Sequence, residues 1–426
     1  MNLVEKDQKY IWHPYTQMKT ADPPLPIVRG EGALLFDESG NTYIDAVSSW
    51  WVNLHGHAHP HIANKIAEQA RQLEHVIFAG FTHPPAVELS ERLMGILPEN
   101  QARVFFSDNG STAVEVAIKM AIQFFHNQGI HRKKLIAFDQ GFHGETFGGM
   151  SASGDLSFFT PFTEHLFEVL RIPVPRPGQE EKAVSALEKL LDEHAVYAFV
   201  FEPLILGAGG MIMYEPAILD RLIGICRERE VLCIADEVMT GFGRTGRTFA
   251  SDYLENKPDL MALSKGLTGG TLPLAITTCT KEIFEAYLSE DKYKTFFHGH
   301  SYTGNPLGCA AGLASLDLLL SEETQGNLKR IMAAHQRFGR RVEGHKSLRE
   351  VRQQGTILAL EFETGDESGY FNDRRDWLYR FFISRGVLLR PLGNVIYILP
   401  PYCITDAQLE RVYAVLEEAM DALLKD

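Results

Sequence analysis

Short apolar runs alternate with helix-patterned segments through the middle of the chain, and this alternation sets the first expectation about the fold. RVFFSDNGS (103–111) reads as a strand running into a helix whose period-3.6 apolar set is Val114, Ala117, Ile118 and Ala121. KLIAFDQGFHG (134–144) and YAFVFEPLILGAGG (197–210) each read as a buried strand ending in a glycine-bearing loop. VLCIADEV (231–238) repeats the pattern after a helix over 216–230. Strands that alternate with helices pair in parallel through right-handed crossovers. The pattern therefore predicts an α/β fold with a mixed, mostly parallel central sheet coated by helices.

The two ends are patterned differently. Residues 1–49 hold short alternating strands, as in GALLFDESGNTYIDAV. From about 325 onward, long amphipathic helices mix with strands such as TILALEFE and NVIYILPP. The proline-rich RIPVPRPGQEE (171–181) reads as a connector inside the larger unit. The expected division is a large domain over 50–324 and a small α+β domain assembled from 1–49 and 325–426.

Composition narrows the function classes. A chain of 426 residues with 45% hydrophobic and 23% charged residues can bury a sizeable core. A formal net charge of -14 argues against general affinity for nucleic-acid phosphates or anionic membranes, while leaving room for a local basic pocket. MNLVEKDQKY is charged from its fifth residue, and no apolar stretch is long enough to span a bilayer. Cys226, Cys233, Cys279, Cys309 and Cys403 are scattered, with no C-x-x-C pair. Free thiols in a cytoplasmic protein, without disulfides or structural zinc, are the expectation.

Two residues carry the sharpest chemistry. Asp236 ends an apolar strand, and Lys265 sits in LSKGLTGG among Leu263, Ser264, Gly266 and Leu267. Such surroundings desolvate an ammonium, lower its pKa and make the amine a usable nucleophile towards an aldehyde. A lone lysine has a plainer reading, a side chain snorkelling from a loop. Paired with a buried carboxylate it suits an electron-sink cofactor whose ring nitrogen must stay protonated. A phosphate site should accompany them, and DNGSTAVEVA (108–117) provides Gly110, Ser111 and Thr112 at a strand-to-helix turn. An ordinary Ser/Thr helix cap would look the same. In GFHGETFG (141–148), Phe142 could stack on one face of a planar cofactor, with Val238 on the other; core packing is the alternative for each.

Two motifs point elsewhere. GFGRTG (241–246) matches a dinucleotide-binding pattern letter for letter, yet residues intervene between the strand and its first glycine and no acidic strand end follows at the required distance. HGHAHPH (55–61) alternates histidines as a metal site might, but its glycine, alanine and proline suggest an irregular loop with no carboxylate or thiol near.

Together these residues resemble the class III (ω-type) aminotransferases of the fold-type I pyridoxal-phosphate superfamily. The resemblance spans nearly the whole chain and is densest in IADEVMTGFGRTGRTFA, PDLMALSKGLTGG and PLA. It implies pyridoxal 5′-phosphate as cofactor, held covalently by Lys265, with Asp236 at the ring and His143 among the cofactor-binding residues, and it turns GFGRTG into a loop after the Asp236 strand. IWHPYTQM (11–18), SSWW (48–51), FFHGHSYTGNPLGCAA (296–311) and LLRPLGNVIYILPPY (388–402) are most like the biotin-pathway branch of the family. That likeness implies a keto-acid acceptor with S-adenosylmethionine as amino donor and L-lysine as the alternative. It also implies that Tyr15, Trp50 and Trp51 wall the substrate pocket, with Gly299 and His300 beside it, and that Arg390 grips the substrate carboxylate bidentately. Ser301 would reach the cofactor phosphate of a neighbouring protomer, which makes the expected active unit a homodimer. This chain departs from many adenosylmethionine-using members at Phe142, where they carry Tyr, and in HGHS, where they read HGPT.

Other readings stay open at this point. They are a class III member acting on ornithine, γ-aminobutyrate or a diamine, a nucleotide-dependent oxidoreductase built on GFGRTG, and a silent fold member used for binding.

Overall fold

Seven strands assemble where the sequence alternates strand and helix patterns. The computed structural model describes residues 1–154, 157–363 and 374–424, with only the backbone at 157 and 158. Across the main sheet the strands run in the order Gln101–Ser107, Ala275–Thr280, Leu260–Leu263, Leu232–Asp236, Val196–Phe201, Lys134–Phe138 and Leu170–Ile172. Six are mutually parallel; Ala275–Thr280 runs against both its neighbours. The return from Leu263 to Ala275 is too short for a crossover helix, so the strand comes back antiparallel. Val196–Phe201 and Leu260–Leu263 are buried at every position, as strands covered on both faces must be.

The helix Gly110–Asn127 packs on Ala275–Thr280 and Leu260–Leu263 and buries Val114, Ala117, Ile118 and Ala121, the stripe expected from its period. Asn109 caps it: its side chain accepts from Thr112 N, and the Thr112 hydroxyl accepts from Asn109 N. Pro216–Glu228 matches the helix expected before the Asp236 strand.

One strand stops sooner than its apolar run suggests. Val196–Phe201 leaves the sheet before Pro203, which cannot donate to a ladder, and Leu204 then turns with φ +68. Ile205–Leu206 pairs instead with Ile212–Met213 in a separate hairpin.

The two ends of the chain meet. Ile27–Glu31, Leu34–Asp37 and Thr42–Asp45 form an antiparallel sheet whose fourth strand, Val387–Leu388, comes from the C-terminal part and lies parallel to Thr42–Asp45. A second antiparallel sheet holds Leu348–Gln354, Ile357–Phe362 and Val395–Ile398. Over it the helices Glu322–Val342 and Asp406–Leu423 are tied together: the Phe338 and Tyr413 rings stack at 4.2 Å, and His335 bonds the Tyr413 hydroxyl at 2.7 Å. A division after residue 324 would fall inside the Glu322–Val342 helix, and one after residue 49 inside the Ser48–Trp51 turn. Among the described residues no helix is long and apolar enough to cross a membrane.

Gly355 seats the C-terminal hairpin on the loop that follows the Asp236 strand. It has φ +57, and a Cβ there would stand 2.2 Å from the Thr245 carbonyl carbon. Gly355→Ala should lower the unfolding free energy by about 2 kcal/mol or more, read from the midpoint and slope of a urea titration.

Candidate active site

Parallel strands deliver their carboxyl ends to one edge of the sheet, and the residues just past those ends are where an open α/β fold can build a site. Here that edge holds a cavity of about 670 Å³. Glu202 enters it from the end of Val196–Phe201, Asp236 from the end of Leu232–Asp236, and Lys265 from just after Leu260–Leu263. Phe142 and His143 come from the loop after Lys134–Phe138.

Lys265 is held in a conformation that lysine rarely adopts, with φ +44, at the start of a 3₁₀ turn ending at Gly269 with φ +62. Ser264 fastens the entry by donating to the Leu274 carbonyl at 2.9 Å. The Lys265 ammonium lies 4.8 Å from the centre of the Trp51 ring. Burial holds its pKa below the ordinary lysine value of 10.5, opposed by the charges of Asp236 and Glu202. The amine is thus a nucleophile in waiting.

Asp236 is clamped. Its Oδ2 pairs with His143 Nδ1 at 2.9 Å and its Oδ1 accepts from Val238 N at 3.1 Å. His143 Nε2 is buried with no hydrogen-bond partner among the described residues. Glu202 forms the floor: Oε1 accepts from Phe142 N at 2.8 Å and Oε2 from Gly207 N at 2.9 Å. Burial pushes its carboxyl up to about 7, aided by the Asp236 charge and opposed by His143 and by those two N–H bonds. The same carboxyl fixes the backbone that presents Phe142, whose ring is stacked on Phe159 at 6.3 Å.

At the cavity's other side the Gly110–Asn127 helix begins. Gly110 and Ser111 line the cavity, and first-turn N–H groups have no intrahelical acceptor. Gly110 must be glycine, since a Cβ there would stand 2.6 Å from Val238 Cγ1. The Ser111 hydroxyl accepts from Glu145 N at 2.9 Å and Thr146 N at 3.0 Å, which ties the 144–146 loop to the helix start. A helix N-terminus, a clamped carboxylate and a buried amine around one cavity fit a phosphorylated aromatic aldehyde.

The far wall is aromatic. Trp50 stands edge-on to Tyr15 at 5.4 Å and under the Arg390 guanidinium at 4.3 Å. Trp51 donates its indole N–H to the Tyr397 hydroxyl at 2.9 Å. An arginine stacked on tryptophan keeps its fork free for a carboxylate.

Not every expected residue is here. Thr112 lies outside the cavity lining; its hydroxyl bonds Asp108 Oδ1 at 2.8 Å and serves the helix cap. Gly299, His300 and Ser301 are also outside it, in the segment between Phe296 and Tyr302. Glu202, Glu145 and Tyr397 line the cavity without having been singled out. Glu202 had a visible signal, a carboxylate ending the apolar run YAFVFEP, just as Asp236 ends VLCIAD. Side chains of the two diverting motifs are engaged in hydrogen bonds within the fold. Arg244 of GFGRTG is fully buried and donates to the Pro400 and Asn53 carbonyls at 2.8 and 3.2 Å. In HGHAHPH, His55 bonds Ser315, His57 bonds Asp45 and His61 bonds Asp317.

Comparison with known proteins agrees with this geometry. The sequence profile "Aminotransferase class-III" matches residues 15–420. The adenosylmethionine-8-amino-7-oxononanoate aminotransferase of Synechococcus elongatus is 47% identical over 424 residues, covering 97% of this chain and 99% of its own. The crystal structure of the Methanocaldococcus jannaschii protein of the same name superposes with a TM-score of 0.94 at 37% identity, covering 99% of this chain and 98% of that one. A PLP-bound amine transaminase from an uncultivated Pseudomonas species superposes with a TM-score of 0.89 at 30% identity, covering 97% and 98%.

Glu202 makes a pH-dependent contribution whose sign follows from its raised carboxyl. Between its ordinary 4.5 and about 7, the folded chain keeps a proton that the unfolded chain releases. Stability relative to Glu202→Gln should therefore fall as pH rises through that window, by up to ~1.4 kcal/mol per unit. Parallel denaturant titrations of the cofactor-free proteins would show it, and identical pH slopes would count against a protonated Glu202.

Proposed function

Because the chain belongs to the class-III aminotransferases, which work through pyridoxal 5′-phosphate, we propose that it aminates 8-amino-7-oxononanoate to 7,8-diaminononanoate in biotin biosynthesis, with S-adenosylmethionine as donor. The observation that carries this reading is a single cavity with a buried amine and a clamped carboxylate at one end and a tryptophan-backed arginine at the other. Pyridoxal phosphate, when bound, supplies an aldehyde for amino groups and a protonated ring that accepts the electron pair left at a deprotonated carbon. Gly110 and Ser111 would hold its phosphate, Phe142 and Val238 would cover its ring, and Asp236 would keep the proton on its nitrogen.

Lys265 does two jobs in this reading. Its Nζ would hold the cofactor's aldehyde, and once freed by an incoming amine the same Nζ would take the proton from the donor carbon and return it to the cofactor carbon on the other side of the shared nitrogen. A desolvated amine suits both, since it is free of its proton closer to neutrality than a solvated lysine. His143 and Val238 N fix the Asp236 carboxylate so that it does not follow Lys265. Arg390 grips the carboxylate of the keto acid, and the Trp50 face beneath it keeps the guanidinium from collapsing onto the wall. The donor leaves as a keto product before the acceptor enters, which gives ping-pong kinetics.

S-adenosylmethionine carries a sulfonium cation, and Tyr15, Trp50 and Trp51 offer aromatic faces to it. L-lysine is the second donor reading, favoured by Phe142 and by HGHS in place of HGPT. The proposed unit is a cytoplasmic homodimer in which Ser301 serves the neighbouring cavity. Phe297 and Tyr302, which flank Ser301, are 72% and 66% exposed and present apolar surface for a second copy to cover.

Lys265→Ala should abolish transamination with the far-UV circular dichroism unchanged, and turnover near wild type would remove its role. Arg390→Ala should weaken handling of the keto acid by about 1.5–3 kcal/mol, seen as a raised KM. Mixing the cofactor-loaded enzyme separately with S-adenosylmethionine and with lysine should bleach the visible cofactor band with the former; bleaching by lysine alone reverses the donor assignment.

A further inference from the structure

The turn that carries Trp50 is strained in a way the substrate wall alone does not explain. Ser48, Ser49, Trp50 and Trp51 all lie in the left-handed region, with φ of +51, +49, +89 and +73. None is glycine, and such residues persist only where their surroundings over-determine them. The surroundings here converge on one side chain. Asp45 is fully buried, and its Oδ1 accepts from Val47 N at 3.2 Å and Ser49 N at 3.0 Å. Its Oδ2 accepts from the Ser49 hydroxyl and from His57 Nε2, both at 2.9 Å. Asn53 donates to His57 Nδ1 at 3.2 Å and so leaves the Nε2 proton for Asp45.

Asp45 also stands at the junction with the second half of the wall. It is in register with Leu388, and Ala46 N donates to the Leu388 carbonyl at 3.2 Å, two residues before Arg390. One residue thus fixes the backbone leading to Arg390 through its strand and the turn bearing Trp50 through its carboxylate. Trp51 depends less on it, being 5% exposed and anchored separately to the Tyr397 hydroxyl.

We infer that Asp45 is a positioning residue for the carboxylate end of the substrate, setting the stack of Trp50 on Arg390 by holding the left-handed turn. The inference rests on the reading of Arg390 as the carboxylate grip. Asp45→Asn keeps the shape but turns one acceptor into a donor, so the Ser49 hydroxyl must reverse its role and His57 Nε2–H loses its acceptor.

The test compares Asp45→Asn, Ser49→Ala, His57→Gln and Arg390→Ala with wild type. Asp45→Asn should raise the keto-acid KM about 10-fold or more. The affinity for pyridoxal phosphate, titrated by absorbance, should stay within about 2-fold. Its near-UV circular dichroism from the Trp50–Tyr15 pair should change while the far-UV spectrum does not. A KM within 2-fold of wild type, or a parallel loss of cofactor affinity, would overturn the assignment. Should Asp45→Asn fail to fold, Ser49→Ala and His57→Gln decide it, since wild-type KM in both overturns it and a rise of about 3-fold in either supports it. Arg390→Ala separates the two readings. If it leaves KM unchanged, the carboxylate grip falls and Asp45's role with it; if it raises KM while Asp45→Asn does not, only Asp45 is wrong.

Discussion

A lysine amine and two carboxyl groups taken out of water at the ends of parallel strands are the constraint around which the rest is arranged. Isolated buried charges are costly, so each must be compensated nearby. Asp236 is met by His143 and a backbone N–H, Glu202 by two backbone N–H groups, and Lys265 by the charges of both carboxylates and the face of Trp51. Compensation is partial at Lys265, and burial holds its pKa below the ordinary lysine value.

Strain is concentrated in the same place. Lys265, Tyr15 and the Ser48–Trp51 turn all hold left-handed backbone without glycine. The supports come from elsewhere in the fold. Arg244 pins the Asn53 and Pro400 carbonyls from the loop after the Asp236 strand, while Ser48 donates to the Leu399 carbonyl at 2.8 Å. A stretch that resembles a nucleotide-binding motif in sequence is thereby a bracket that ties the wall of the cavity to its floor. The glycines there serve turns, as at Gly243 and Gly246 with φ +98 each.

The wall and the reacting centre belong to different parts of the chain. Arg390 follows a C-terminal strand paired with Thr42–Asp45, whereas Lys265, Asp236 and Glu202 ride on the main sheet. Under the proposed function, substrate length would be measured across that seam. Changes around the Val387–Leu388 strand would then alter which acid is held without touching Lys265.

The strand-and-helix alternation, the Asp236 and Lys265 pair and the helix start at Gly110 were legible in the sequence because each is local. An apolar run interrupted by one charged residue, or a strand ending in Asn-Gly-Ser, carries its physics within a few residues. Glu202 was legible by the same sign and passed over, since one carboxylate at a strand end is ordinary until a second lies beside it. Asp45 was not legible at all: an acid in TYIDAV reads as a solvated strand position, and only the register with Leu388 and the fold of the Ser48–Trp51 turn bury it. Thr112 looked like a phosphate ligand, but the helix cap claims its hydroxyl, a choice that depends on where Asp108 points. Sequence by itself determined the chemistry available, because reactivity resides in residue types and their immediate neighbours. Which side chains share one cavity, and which are consumed in holding it open, was decided by the tertiary structure, because most of those pairings join segments distant along the chain.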